Sequence, residues 1–219
     1  PPLSKSELLE VLKIHGLVDE ISSNISRPFR TPHHTASKVS IIGGGSKALP
    51  GEISLAHNGV LFLDEMPEFP KSILESLRQP LEDRKITITR TNRKSSYPAN
   101  FMLIATMNPC PCGFYGDATK ECTCSSTQIL NYQRKLSGPL MDRIDMVVNV
   151  DRIHNKNLLS KNNNKNSEHA NAKKQIEMSL ELQHKRYDCS NLYNSMAKTN
   201  VVKNSFKISK EAEDLLNLA

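Results

Sequence analysis

GVLFLDE, residues 59–65, sets four apolar residues behind a glycine and runs them straight into two adjacent acids. An uninterrupted apolar run of this length reads as a strand buried on both faces, as in a parallel sheet. Burying carboxylates is costly, so Asp64 and Glu65 belong at the strand's exposed carboxyl end. Open α/β sheets bind their ligands at that edge.

Working outward, SKSELLEVLKIHGLVDEIS (4–22) has apolar residues at 8, 9, 12, 14, 17, 18 and 21. That spacing predicts an amphipathic helix capped by Ser4 or Ser6 and broken near Gly16. RPFRTPHHTAS (27–37) reads as a proline-punctuated loop. Its adjacent His33 and His34 would point to opposite sides of an extended segment, which suits a loop better than a metal site. VSIIGGGSKALPGEISLAHNG (39–59) offers a short apolar run, a glycine turn and a helix of about nine residues. KSILESLRQPLED (71–83) should be helical as far as Pro80. KITITRTNRKSSYPA (85–99) alternates Ile86 and Ile88 and turns near Asn92, a hairpin pattern. FMLIATMNP (101–109) supplies a second apolar strand and MDRIDMVVNV (141–150) a third. Strands alternating with helices predict an α/β domain with a mainly parallel sheet flanked by helices.

After residue 150 the character changes. HNKNLLSKNNNKNSEHANAKK (154–174) reads as a polar, flexible insertion, with a helix over roughly 170–186 and another starting near Ser209. The expected divisions are a core over 1–153, an Asn/Lys-rich insertion over 154–175 and a helical segment leading towards a lid over 176–219.

The 219 residues carry 29 Lys and Arg against 23 Asp and Glu, a net +6. That balance mildly favours an anionic partner, or else marks a lysine-rich solvated surface. No run approaches the ~18 apolar residues of a membrane span. The start, PPLSKSELLE, is no signal peptide and lacks an initiating Met, so an excised stretch of a longer cytoplasmic protein is expected. Five Cys, four of them clustered, suit metal binding in a reducing compartment better than a disulfide framework.

In sheets that hydrolyse nucleotides, a buried strand ending in Asp-Glu has a defined use. The Asp helps hold Mg²⁺ on the phosphates, mostly through water. The Glu orients and deprotonates the attacking water. Asn108, ending the second apolar strand, could hydrogen-bond both that water and a phosphate oxygen, or could simply form a turn before Pro109. Arg143 in SGPLMDRID (137–145) sits just before the third strand. There it could reach a neighbouring subunit's phosphate, or pair with Asp142 or Asp145.

Taken in order, RPFRTPHHTAS, GGGSKALPGEISLAHNGVLFLDE, LRQPLEDRKITITR, ATMNPCPCGFYGD and KLSGPLMDRID resemble the magnesium-chelatase-like AAA+ ATPases, specifically the ComM/YifB group. The resemblance runs from residue 1 to about 153. It implies a P-loop NTPase-type fold using ATP and Mg²⁺. GVLFLDE would be the Walker B strand, Asn108 the sensor-1 residue and Arg143 the arginine finger of a homo-oligomeric ring, by expectation a hexamer. Residues 85–98 would form the hairpin inserted before sensor 1, and 27–50 would lie in or near the helix-2 insertion. The resemblance also implies ATP-driven movement along branched or single-stranded DNA, as in branch migration during recombination or transformation. The phosphate loop GxxxxGK[ST] does not occur: in GGGSKA the glycines are contiguous and Ala48 follows Lys47. By resemblance that loop lies upstream of Pro1 and the sensor-2 arginine beyond residue 219, so this stretch alone is expected to hydrolyse ATP poorly or not at all. Two rivals stay open: a motor for metal insertion into a tetrapyrrole, and a non-hydrolysing, zinc-stabilised module that binds nucleic acid or a partner.

Arg84, Lys85, Arg90, Arg93 and Lys94 follow Asp83 with no acid among them. On a pore-facing hairpin, Lys85, Arg90, Arg93 and Lys94 could track a phosphate backbone with sequence-blind, salt-dependent affinity. The alternative is a solvated face, and no aromatic for base stacking occurs before Tyr97. Cys110-Pro-Cys112 and Cys122-Thr-Cys124 form CxC-x9-CxC. Four such thiolates suit tetrahedral Zn²⁺, with Gly113 and Gly116 turning the loop; free thiols are the alternative. Zinc would stabilise the loop behind Asn108 rather than take part in chemistry. Cys189 stands alone.

Overall fold

The computed structural model describes residues 2–20, 26–90, 93–117, 119–150, 165–188, 192–205 and 208–218. The chain divides after Arg152 into two compact units.

The first unit runs α1 (Lys5–His15), β1 (Phe29–Arg30), α2 (Lys38–Ile42), β2 (Gly43–Gly44), β3 (Leu49–Pro50), α3 (Glu52–Leu55) and β4 (Val60–Leu63). It continues through α4 (Lys71–Ser76), α5 (Arg78–Asp83), β5 (Lys85–Arg90), β6 (Arg93–Pro98), β7 (Met102–Ala105), α6 (Ser126–Gln133) and α7 (Gly138–Met141). α1 opens on a capping box: Ser4 accepts the Glu7 N–H, and the Glu7 carboxylate accepts the Ser4 N–H at 2.7 Å. The helix stops at Gly16, as its apolar spacing indicated.

The main sheet is parallel, in the order β1-β4-β7, so GVLFLDE is its central strand. Leu61 and Leu63 are 0% and 1% exposed and enter a core with Ile53, Ile73, Leu74, Leu77, Phe101 and Leu140. Each such side chain contributes roughly 1.5–3 kcal/mol of burial. The opposite face is only half covered: Val60 and Phe62 are half-buried, and Phe62 stacks on Phe29 at 6.1 Å. The sequence expectation of burial on both faces is thus met on one.

Gly59 is required where the strand begins. A Cβ there would lie 2.1 Å from the Pro28 carbonyl oxygen, which accepts the Val60 N–H at 2.8 Å and starts the β1 pairing. Gly59→Ala is expected to destabilise the fold by roughly 1–3 kcal/mol, as overpacking does. An unchanged urea midpoint would show that the two backbones can separate freely.

Three local expectations are corrected. The strand expected over 141–150 does not form: Met141 ends α7, and Met146, Val147, Val148 and Val150 are 70–87% exposed, with no strand beside them to pair with among the described residues. The third strand is instead the two-residue β1, inside the stretch read as a loop. Arg30 anchors it through a forked pair to Glu52 of α3, at 2.6 and 2.8 Å. Pro80 does not end its helix, because α5 starts afresh at Arg78 and places Pro80 in a first turn, where no intrahelical N–H is needed. The nine-residue helix before β4 shrinks to the four residues of α3.

β5 and β6 form the expected antiparallel hairpin. Ile86 and Ile88 are buried, and the Tyr97 hydroxyl donates to the Ala48 carbonyl at 2.7 Å.

At the amino end of β4, buried His57 accepts the Asn100 N–H on Nδ1 at 3.0 Å and meets Glu10 through Nε2 at 3.1 Å. Asn58 donates to the same Glu10 oxygen at 2.8 Å. Burial lowers the His57 pKa, against the opposing pull of Glu10. The native state therefore binds this proton less readily than the unfolded chain, and stability should fall as pH drops below about 6.5. The Asn58 and His57 hydrogen bonds lower the Glu10 pKa, so its contribution is lost in a second window, below about 4.3. Urea midpoints from pH 8 to pH 5.5 check this: the slope should flatten in His57→Gln, and an unchanged slope would sink the assignment.

In the second unit, α8 (Lys165–Tyr187), α9 (Thr199–Ser205) and α10 (Lys210–Leu218) follow one another. α8 begins within the stretch read as an insertion up to residue 175, and α9 was not expected. Ser209 caps α10 through the Ala212 N–H. Among the described residues no helix is long and apolar enough to cross a membrane. Cys189 and Asn92 lie outside the described residues.

Candidate active site

β4 and β7 are paired in register, Leu63 opposite Ala105, so their carboxyl ends are level. The acids emerge there, both exposed, as the cost of burying charge requires. Glu65 stands in the left-handed region, φ 51° and ψ 52°. A side-chain-bearing residue held so costs on the order of 1–3 kcal/mol and persists only where its surroundings over-determine it.

Thr106, the first polar residue after β7, supplies that determination. Its N–H donates to the Leu63 carbonyl at 3.0 Å, and its carbonyl accepts the Met66 N–H at 2.9 Å. Its hydroxyl donates to Asp64 Oδ1 at 2.6 Å while accepting the Glu65 N–H at 2.9 Å. One threonine therefore fixes the Asp64 carboxylate and the Glu65 backbone together. Sequence reading passed over it as part of the apolar run; its signal was a hydroxyl at the first polar position behind a strand.

Asn108 is exposed two residues further on. α6 turns back towards it: Gln133 Nε2 donates to the Pro109 carbonyl at 3.4 Å. Tyr132 is 6% exposed, and burial followed by the Glu68 and Glu65 charges raises its pKa. The acid pair and Asn108 thus follow the level carboxyl ends of two paired strands.

Arg143 follows α7 in a turn rather than preceding a strand. It pairs with neither Asp142 nor Asp145. Its guanidinium binds Glu82 of α5 through Nε at 3.1 Å and through Nη2, and it donates to the Pro139 carbonyl. The Arg143 hydrogen bond lowers the Glu82 pKa.

The four cysteines converge. Their Sγ atoms all lie within 4.8 Å of one another, and Cys110–Cys112, Cys110–Cys122 and Cys112–Cys122 are 3.4, 3.7 and 3.6 Å apart. A tetrahedron of thiolates 2.3 Å from an ion has edges of about 3.8 Å, so the set fits one tetrahedral metal. All four are free thiols. The Phe114 N–H, with the Thr123 N–H, pulls the Cys112 thiol down to about 5, while burial and the neighbouring Cys112 and Cys110 thiols push Cys122 and Cys124 up, so by themselves the four sulfurs do not all favour the thiolate. Gly113 and Gly116 take φ of 80° and 83°, turns that a side chain would strain. His33 and His34 do not point apart as expected, since a turn brings their rings to 4.1 Å, and His33 bonds Thr35.

The hairpin register sets Arg90 opposite Arg93 and Thr89 opposite Lys94, which gathers backbone positions of like charge at the tip; Lys85 lies at the base, opposite Pro98.

With this parallel α/β frame and its polar strand ends in place, comparison with known proteins gives the class. Residues 1–158 match the family described as magnesium chelatase, subunit ChlI, and the chain belongs to that family, with an AAA+ type core. Its relatives narrow the group. A YifB protein of Salmonella typhimurium is 44% identical over 189 residues, covering 85% of this chain and 37% of that protein. The competence protein ComM of Haemophilus influenzae is 48% identical over 153 residues, covering 68% and 30%. The ComM/YifB resemblance is therefore confirmed, and the chain spans about a third of the length of these relatives. Among solved structures, NtrX of Brucella abortus with ADP is a distant likeness, 17% identical with a TM-score of 0.38 over 55% of this chain and 24% of that one.

Proposed function

We propose that this chain carries the water-activating edge of an ATP-hydrolysing module, within a cytoplasmic ring motor, by expectation hexameric, that acts on DNA. The observation that supports it most is Glu65, held in a left-handed conformation beside Asp64 by one threonine at the end of the central parallel strand. Strain of this kind clusters at functional sites. Glu65 would take the proton of the attacking water, and Asn108 would orient that water. Thr106 occupies Asp64 Oδ1, so the carboxylate has its second oxygen to offer to a hydrated Mg²⁺. Mg²⁺ on ATP would neutralise charge building up on the phosphates. Arg143 would act across a subunit boundary, and the four cysteines would hold a structural Zn²⁺.

The DNA track rests on the hairpin. Like charges directly opposite each other in a ladder are unfavourable, so a tip bearing Arg90, Arg93 and Lys94 suits a polyanion. The name of the Haemophilus relative, a competence protein, fits a role in transformation. ATP turnover by the full-length protein, with and without single-stranded or branched DNA, tests the reading. DNA should stimulate turnover, and replacing Lys85, Arg90, Arg93 and Lys94 by Ala should abolish the stimulation. The same change should flatten the log–log salt dependence of single-strand binding by about 3, at roughly 0.7 per charge. Turnover indifferent to DNA would remove the track and favour the reading the family's description suggests, a metal-insertion motor stimulated by porphyrin.

A further inference from the structure

The loop that carries the cysteines also carries Asn108. Cys110 is two residues beyond Asn108 and fully buried, and its Sγ accepts the Tyr115 N–H at 3.3 Å. Its carbonyl accepts the Gly113 N–H at 3.0 Å, which turns the chain back so that Gly113 faces the Asn108 side chain. Cys124 closes the cluster, and the next residue, Ser125, is the N-cap of α6, joined to Gln128 in a capping box. α6 then supplies the group that holds the strand exit, Gln133 on the Pro109 carbonyl, with buried Tyr132 one residue before it. The cluster therefore pins both ends of a short circuit. One end leaves the candidate site, and the other returns to support it.

We propose that metal occupancy of Cys110, Cys112, Cys122 and Cys124 sets the position of Asn108, so that hydrolysis in this protein depends on zinc although zinc takes no part in the reaction. This rests on the zinc and ATPase readings above and adds the coupling between them. The physical argument is closure. The nine residues between the cysteine pairs include two glycines in left-handed conformations, and such a segment collapses onto one geometry only when its ends are tied. An ion bound by four thiolates supplies that tie, and its binding free energy becomes local folding free energy. Without it, the Gln133–Pro109 hydrogen bond alone ties the strand exit to α6, and that contact becomes one of several arrangements. Gln133 is a positioning residue in this scheme: it touches the backbone beside Asn108 and never the substrate.

The test uses full-length protein. Zinc content is measured by mass spectrometry, hydrogen exchange over residues 106–109 and 126–133 is followed, and kcat and KM for ATP are determined. A zinc-selective chelator should remove about one ion per chain. It should also speed exchange in both segments and lower kcat about 10- to 100-fold with little change in KM, the scale of a misplacement near 1 Å. Added Zn²⁺ should restore all three. Cys112→Ser with Cys122→Ser should copy the chelated state, and Cys189→Ser should not. Gln133→Leu keeps the metal, so it should retain zinc while losing protection at 106–109 and part of kcat. Zinc that leaves without changing exchange at 106–109 overturns the coupling, and so does protein that never carries zinc. If the protein turns over no ATP at all, the ATPase reading fails, and the exchange data alone still decide whether the metal positions Asn108.

Discussion

Glu65→Gln in the full-length protein is expected to lower ATP turnover about 100- to 10,000-fold, the range lost when a positioned general base is removed. The change is nearly isosteric. Gln can occupy the same left-handed backbone, and its N–H can still donate to Thr106, so Asp64 and the end of β4 keep their places. The amide cannot accept a proton, and nothing else in the arrangement changes. Affinity for ATP should therefore stay within about threefold, since the loss falls on a transition-state interaction. Turnover and nucleotide affinity measured on the same preparation decide it. A loss of affinity matching the loss of rate would place Glu65 in nucleotide binding and remove it from the chemistry. Retained turnover would leave its strained backbone without a functional reason.

Arg143→Ala is the second large effect, a fall of roughly 1,000- to 100,000-fold if the guanidinium serves as an arginine finger. The surroundings of Arg143 make the experiment clean. Its ion pair with Glu82 is exposed, and exposed pairs contribute little to stability, so lost activity would not signal an unfolded protein. Mixing Glu65→Gln subunits with Arg143→Ala subunits then shows where the arginine acts. If it reaches the next subunit, some boundaries in mixed rings combine an intact Glu65 with an intact Arg143, and activity returns from two inactive proteins. No recovery in the mixture would assign Arg143 to its own subunit. Glu82→Ala releases the guanidinium and should preserve turnover, because Glu82 holds the side chain in this structure and has no part in the reaction.

The central features were legible because each rests on a local rule. An apolar run ending in acids must lead its charges out of a core, and Asp64 and Glu65 do emerge there. CxC-x9-CxC implies convergence, and the four sulfurs converge. Alternation at Ile86 and Ile88 gave the hairpin. What escaped was relational. Residues 144–150 have strand composition, but a strand needs a neighbour to pair with, and composition does not supply one. β1 is two residues hemmed by prolines, and only the Arg30–Glu52 fork and the register with β4 make it part of a sheet. Pro80 misled because the break at Leu77 depends on how α4 and α5 pack on the core. Arg143 was read against its sequence neighbours, whereas its partner lies 61 residues away. Thr106 escaped for the same reason: its role exists only once Leu63 and Ala105 lie side by side.

One feature of the sheet governs how these residues can be handled in the laboratory. β7 pairs with β4 along one edge, and among the described residues no strand pairs with its other edge; on the half-covered face shared with Val60 and Phe62, Met102 and Ile104 are 64% and 41% exposed. A bare row of N–H and C=O groups beside apolar side chains is a template for any extended segment that meets it. In solution the 219-residue chain offers that template to its own copies, together with the exposed stretch from Met146 to Val150 as a segment to dock on it. Its failure in a test tube would then be clumping through edge-to-edge strand addition, which is no measure of how well its core is built.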